Sequence, residues 1–202
     1  MTCKKEYRKK IKTKYQKQNI YISCEGKTEQ TYFKSLNNIF KNVKILAKYD
    51  NDTSALGVVN NFDILFKNEN IDKNDLKYCA FDKDDNAVQQ IEEAIRLARK
   101  KNMKVLFSNP CFEIWLYWHF ENKRSATTST KLKQYISCHT GYSDYKNDGT
   151  LATKLNNKLK QAMQIASNTR LTLRNDNISI YSEDANPTTN IDELLSTLIE
   201  FG

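Results

Sequence analysis

Two acidic segments stand directly after short apolar runs. Ile20-Tyr21-Ile22-Ser23-Cys24 leads into Glu25-Gly26-Lys27-Thr28-Glu29, and Tyr78-Cys79-Ala80-Phe81 leads into Asp82-Lys83-Asp84-Asp85. Apolar runs of this length read as buried strands. In an open parallel sheet the carboxyl ends of the strands share one edge, and ligands bind in the crevice there. Carboxylates that meet on such an edge repel one another unless a hard cation lies between them. Oxygen-only ligands suit Mg²⁺ or Mn²⁺, and magnesium sites commonly handle phosphates. Glu25, Asp82, Asp84 and Asp85 are therefore candidate metal ligands, with Glu25, Asp82 and Asp84 the candidate catalytic set. If the strand persists to residue 84, Asp82 and Asp84 share a face. If a turn begins there, Asp84 and Asp85 can both swing inward. Taken alone, Asp-x-Asp-Asp is also a common solvated turn; the strand before it and the matching Glu25 segment argue for the site.

Further candidates lie nearby. Gly26 allows a tight turn, and Lys27 with the amides of the next helix would face a phosphate. Gly26-Lys27-Thr28 mimics the end of a phosphate-binding loop, but the glycine required five positions earlier is Tyr21, which disfavours nucleotide binding of that type. Asn109 ends a fourth apolar run on the same edge and is a candidate substrate contact, or a helix cap. Glu113 lies among Phe112, Trp115 and Leu116, where a carboxylate needs a partner such as a metal, a lysine or helix-end amides. His119, between Trp118 and Phe120, is the one histidine with a catalytic reading beside its reading as a core residue.

The elements that must position these residues alternate. Strands are expected at 20–24, 43–47, 77–81 and 103–107. Helices are expected from Thr28, which can cap the first, then at 55–68 and 87–101. Such alternation argues for an α/β fold, a mostly parallel sheet of about four strands with helices on both faces. Right-handed crossovers put all four carboxyl ends on one edge. The aromatic run after Asn109-Pro110 has the length of a buried helix. From about residue 121 a helical elaboration follows, with helices at 132–137, 151–166 and a last one ending near Phe201. The expected organisation is a basic leader over 1–18 and a single domain over 19–202.

The charge distribution is uneven. Between residues 4 and 17, eight cations face Glu6 alone, a net +7, so the rest of the chain carries +1 of the total +8. A basic arm can bind phosphate backbones by counterion release, or serve as a solubilising leader. No stretch reaches the roughly 18 apolar residues of a membrane span, and the N-terminus lacks the apolar core of a secretory signal. The five cysteines are scattered, without C-x-x-C spacing, which argues against a zinc ribbon and for a reducing, cytoplasmic setting.

Glu25-Gly26-Lys27-Thr28-Glu29 with Tyr32-Phe33, Phe81-Asp82-Lys83-Asp84-Asp85, Ser108-Asn109-Pro110-Cys111-Phe112-Glu113-Ile114-Trp115-Leu116 with His119-Phe120, and Asn186-Pro187-Thr188-Thr189-Asn190 together resemble the RloB-like family, in family order. The resemblance implies a Toprim-like core, in which a glutamate after the first strand and an Asp-x-Asp after the third bind Mg²⁺. Glu25 matches that glutamate, and Asp82 and Asp84 match the pair. It further implies a bacterial restriction-linked or anti-phage protein, with a defence ATPase as a partner. The topoisomerase and primase readings are weakened, because the chain lacks their ATPase, zinc-binding and strand-breaking regions. The function expected is a Mg²⁺- or Mn²⁺-dependent nuclease acting on RNA, including tRNA, or on DNA. The alternatives are a non-catalytic module that binds nucleic acid or a partner, and nucleotidyl transfer using the same acids.

Overall fold

A computed structural model describes residues 17–84, 86–139 and 141–201; the basic leader therefore lies almost wholly outside the described residues. The chain runs β1 (Gln18–Cys24), α1 (Lys27–Ser35), β2 (Val43–Tyr49), α2 (Ala55–Asn60), α3 (Phe62–Leu65), β3 (Leu76–Asp82), α4 (Val88–Lys100), β4 (Lys104–Asn109), α5 (Glu113–Tyr117), α6 (Ser129–Cys138), α7 (Leu151–Leu155), α8 (Leu159–Asn175), β5 (Thr188–Thr189) and α9 (Ile191–Glu200). The sheet order is β2-β1-β3-β4-β5. The first four strands are parallel, as the alternation requires, so Cys24, Tyr49, Asp82 and Asn109 end on one edge. The fifth strand, unforeseen because two threonines give no periodic signal, runs antiparallel to β4.

Side-chain alternation along the strands builds a core on each face. From β1, Ile20, Ile22 and Cys24 join α1, the aromatic residues of α5 and the helices after it. Tyr21 points the other way, with Cys79 and Phe81 of β3, into a second core against α2, α3 and α4. Helices thus cover both faces. Cys24 and Cys79 are buried as small core residues, and the four described cysteines are free thiols.

Four helix expectations need correction. The 55–68 helix divides at Asn61 into α2 and α3, where Asn60-Asn61 supply weak helix formers. The 151–166 helix divides at a 3₁₀ turn over Asn156–Lys158 for the same reason, and α8 continues to Asn175. The aromatic run is helical only over α5; beyond it the chain continues as turns that mix i→i−3 bonds, from His119 N–H to Leu116 and from Phe120 N–H to Tyr117, with an i→i−4 bond from Glu121 N–H to Tyr117. Thr28 does not cap α1: Gly26 occupies that position and Thr28 is buried in the first turn.

The edges of the sheet are closed by side-chain amides. Asn37 accepts from Ile45 N–H and donates to Ile45 C=O, each at 2.9 Å, along the outer side of β2. Asn190 does the same for β4, accepting from Phe107 N–H at 2.7 Å and donating to Val105 C=O at 2.9 Å. Arg170 donates to Thr189 C=O on β5 and forms a two-pronged ion pair with Asp192. Unpaired edge groups are templates for aberrant pairing, and these amides occupy them. Among the described residues, no helix is long and apolar enough to cross a membrane.

Asn190→Ala strands the buried Phe107 N–H and the part-buried Val105 C=O of β4. Each unsatisfied buried group costs about 1–3 kcal/mol. The variant is expected to unfold at clearly lower urea concentration than the parent, with an unchanged slope; an unchanged midpoint would contradict the edge-closing role of Asn190.

Candidate functional site

In the order β2-β1-β3-β4 the chain first moves outward from β1 to β2, then returns across β1 to β3. The crevice outside the carboxyl ends of β1 and β3 is therefore the topological switch point, where such sheets bind ligands. Glu25 follows β1 immediately and Asp82 ends β3. The backbone N–H of Glu25 donates to Ala80 C=O at 2.9 Å, continuing the β1–β3 ladder. The Glu25 side chain then takes over: its Oε2 accepts from the Asp82 backbone N–H at 2.8 Å. Two residues 57 positions apart are thereby joined at one point.

The strand stops at Asp82, so Asp82 and Asp84 do not share a strand face. Asp82 is 7% exposed, and its Oδ2 accepts from Phe112 N–H at 2.9 Å, which draws the start of α5 to the site. Glu113, one residue on, is 3% exposed, and Tyr145 O–H donates to its Oε1 at 2.7 Å. Glu29, 6% exposed, folds back on the amides of Gly26 and of its own residue. Gly26 has an extended backbone that any residue can adopt; its constraint is space, since a Cβ there would lie 3.2 Å from Glu29 Oε2.

Asp84 is exposed in the following turn and reaches outward to α6. Ser129 O–H donates to its Oδ1 at 2.7 Å, and Lys133 Nζ lies 3.7 Å from its Oδ2. The turn itself is pinned to the β4–α5 connection, with Lys83 N–H on Ser108 C=O and Asp84 N–H on Pro110 C=O. Asp85 lies outside the described residues. Asn109 is buried, donates to Ser182 C=O at 3.0 Å, and lines a cleft of about 310 Å³ with Lys83, Asp84 and Ser129. Lys27 is exposed in the first turn of α1.

His119 does not join the acids. It is fully buried, packs edge-on against Trp115 at 4.9 Å between ring centroids and bonds Trp115 C=O through Nδ1. Burial pushes its pKa down to about 4, so it is a neutral core residue at physiological pH.

The electrostatics follow from burying like charges together. Burial raises Asp82 well above the ordinary carboxylate range, and Glu25, Glu29 and Glu113 push in the same direction, against the Phe112 N–H. Burial likewise lifts Glu25 to about 8, with Glu29 and Asp84 adding repulsion and the Asp82 N–H and Lys133 opposing it. Glu29 is raised to about 7, first by burial and then by Glu113. Lys133 answers these charges: burial lowers its pKa, but Glu113, Cys111, Asp84 and Asp82 more than offset this and raise it. Glu29, Lys133, Ser129 and Tyr145 were not anticipated as site residues. Glu29, four residues after Glu25 at a helix start, carried the one available signal; Lys133 and Tyr145 sit in a polar stretch without a pattern.

Can this set hold a divalent ion? The donors are carboxyl oxygens, the chemistry a hard cation takes, and when ionised they would carry more negative charge than Lys133 alone can balance. Among the described residues, no three His, Cys, Asp or Glu side chains are spaced to hold an ion as they stand, and Asp84 is turned toward Ser129. Glu25 and Asp82 each give one oxygen to a backbone N–H and keep a second. They fit as the residues that would hold an ion, with Asp84 joining if it leaves α6.

Fold and site together define a doubly wound α/β protein with a buried acidic cluster at its switch point. A family model described as RloB-like protein matches residues 20–198, and the chain belongs to the RloB-like family. No curated protein matches the chain, and no solved structure does.

The sign of the pH dependence is fixed by these shifts. Between the ordinary glutamate value of 4.5 and the folded values of about 8 for Glu25 and about 7 for Glu29, the folded state binds more protons than the unfolded chain. The contribution of these acids to stability then falls as pH rises through that window, and it outweighs the smaller, opposite contribution of His119 below pH 6.5. In EDTA the melting temperature is expected to drop from pH 5 to pH 8, and Glu25→Gln to flatten the drop. A melting temperature that rises over this range, or a Gln variant with the parent's slope, would contradict the assignment.

Proposed function

We propose that the chain is a divalent-metal-dependent phosphodiesterase acting on nucleic acid, RNA or DNA. One observation carries the reading: Glu25 and Asp82 meet through a 2.8 Å hydrogen bond at the switch-point edge, inside a cluster of buried carboxylates that repel one another. That pairing, a glutamate after the first strand with an aspartate after the third, is what a Toprim-like core would use to bind Mg²⁺ or Mn²⁺. A bound ion supplies an activated water and neutralises charge developing on the phosphate. Asp82 would hold the ion. Glu25 would share it or take the proton of the attacking water, and a carboxylate raised toward neutrality suits that exchange. Lys133, already facing the acids, and Lys27, exposed beside Glu25, would meet the phosphate oxygens. The basic segment over residues 4–17 would raise the local concentration of a polyanion. A restriction-linked or anti-phage setting, with a partner ATPase, goes with this reading through the family resemblance, and a cytoplasmic location goes with it through the scattered cysteines.

The second reading, a non-catalytic module that binds nucleic acid or a partner, draws support from Asp84, which turns to Ser129 and Lys133 rather than to Glu25. Labelled RNA and DNA incubated with Mg²⁺ or Mn²⁺ separate the two. Glu25→Gln and Asp82→Asn are each expected to lower the cleavage rate by about 10²- to 10⁴-fold, the range a positioned acid–base group contributes. Equal cleavage by parent and variants, or none by the parent, would remove the phosphodiesterase reading and leave the binding module.

A further inference from the structure

A slot of about 270 Å³ opens beside the acidic edge, between α6 and the segment over residues 121–127; Tyr117, Lys123, Ser125, Thr127, Lys131 and Tyr135 contribute to its walls. It adjoins the cleft that holds Asp84, because Thr127 lines both. One helix serves the two. Ser129 and Lys133, four apart, face Asp84, while Lys131 and Tyr135, also four apart, line the slot, as helical spacing allows. The segment opposite is fixed by Asn186, whose side chain accepts from Thr127 N–H and donates to Thr127 C=O.

The walls are aromatic and cationic. Tyr117 and Tyr135 are half-buried and meet edge to face, 4.8 Å between centroids. Tyr135 is held from behind by His139 at 4.6 Å, and Glu121 accepts its O–H at 3.0 Å. Lys123 and Lys131 are exposed, and neither ammonium forms a hydrogen bond or ion pair with a described residue. Pockets for drug-sized ligands run to about 300–1,000 Å³, so this one suits a smaller flat group. Aromatic faces with interleaved cations are how proteins hold unpaired nucleic acid: the base stacks on the ring and the cations follow its phosphates. A base in a duplex is stacked on its neighbours and cannot enter.

We propose that this slot takes one base of an unpaired strand, with Lys123 and Lys131 on the flanking phosphates, so that the substrate is single-stranded at a nucleotide adjoining the one the acids face. The proposal rests on the reading of the chain as acting on nucleic acid and narrows its substrate class to unpaired segments such as loops and ends.

The test is equilibrium binding of fluorescent oligonucleotides to the intact chain in EDTA, a single strand against the duplex of the same sequence. The basic segment over residues 4–17 contributes equally to every variant, so the differences report the slot. The single strand is expected to bind at least tenfold tighter than the duplex. Tyr135→Ala should weaken the single strand by roughly 5- to 100-fold, the range for stacking on one ring, and Tyr135→Phe should restore it. Lys123→Ala with Lys131→Ala, at exposed positions that leave folding intact, should lower the slope of log affinity against log salt by about 1.4, two contacts at the single-strand value. Equal affinity for strand and duplex, or an unchanged salt slope in the double lysine variant, overturns the proposal. Because no cleavage is read, failure of the phosphodiesterase reading appears only in the cleavage assay and leaves this result standing.

Discussion

The hydrogen bond from the Asp82 backbone to the Glu25 carboxylate is the constraint on which the site depends. It forms because two parallel strands end side by side, and it converts a sheet edge into a fixed relation between two acids. The remaining acids gather around that point: Asp82 draws in the start of α5 through Phe112, and Glu113 arrives with it. The outcome is a concentration of carboxyl groups in a region largely removed from water, where burial and mutual repulsion disfavour their ionised forms and Lys133 offsets this in part. Such an arrangement works against stability, and local rules are broken in this way mainly where a protein has a task to perform.

The rest of the fold holds that strain in place. The β1 ladder cannot slip by one residue without exchanging Ile20 and Ile22 with Tyr21 between the two cores. Asn86 bridges β3 to α2, donating to Asp82 C=O and accepting from Ala55 N–H. The helices after β4, which in sequence look like an appendage, close the site: α6 brings Ser129 and Lys133 to Asp84, and Tyr145 anchors Glu113. The contacts to Asp84 and the slot lined by Tyr117 and Tyr135 then sit on neighbouring sides of α6.

Much of this was legible in the sequence, for physical reasons. Apolar runs at 20–24, 43–47, 77–81 and 103–107 must be buried, and their alternation with helices leaves parallel strands with a common edge; Glu25 and Asp82 follow from that alone. Asp84 was harder, because a two-residue spacing cannot say whether the strand persists, and here it does not. Asn37 and Asn190 act through side-chain amides that imitate a strand, and β5 is only two threonines long, so none of the three leaves a periodic trace. Lys133 faces acids from three other segments, a relation fixed by tertiary packing. His119 shows the reverse limit: its residue type suggested chemistry, and burial in the aromatic core removes it from the site.

The claim at the centre is that Glu25 and Asp82 share one divalent ion. Crystals grown with Mn²⁺ and measured at the manganese absorption edge test it without reference to any substrate. The account predicts an anomalous peak within about 2.0–2.5 Å of oxygens of both Glu25 and Asp82, the range for hard-cation ligation. Saturating Mn²⁺ with no peak between these two carboxylates, or a peak bound elsewhere while they remain protonated, would contradict it.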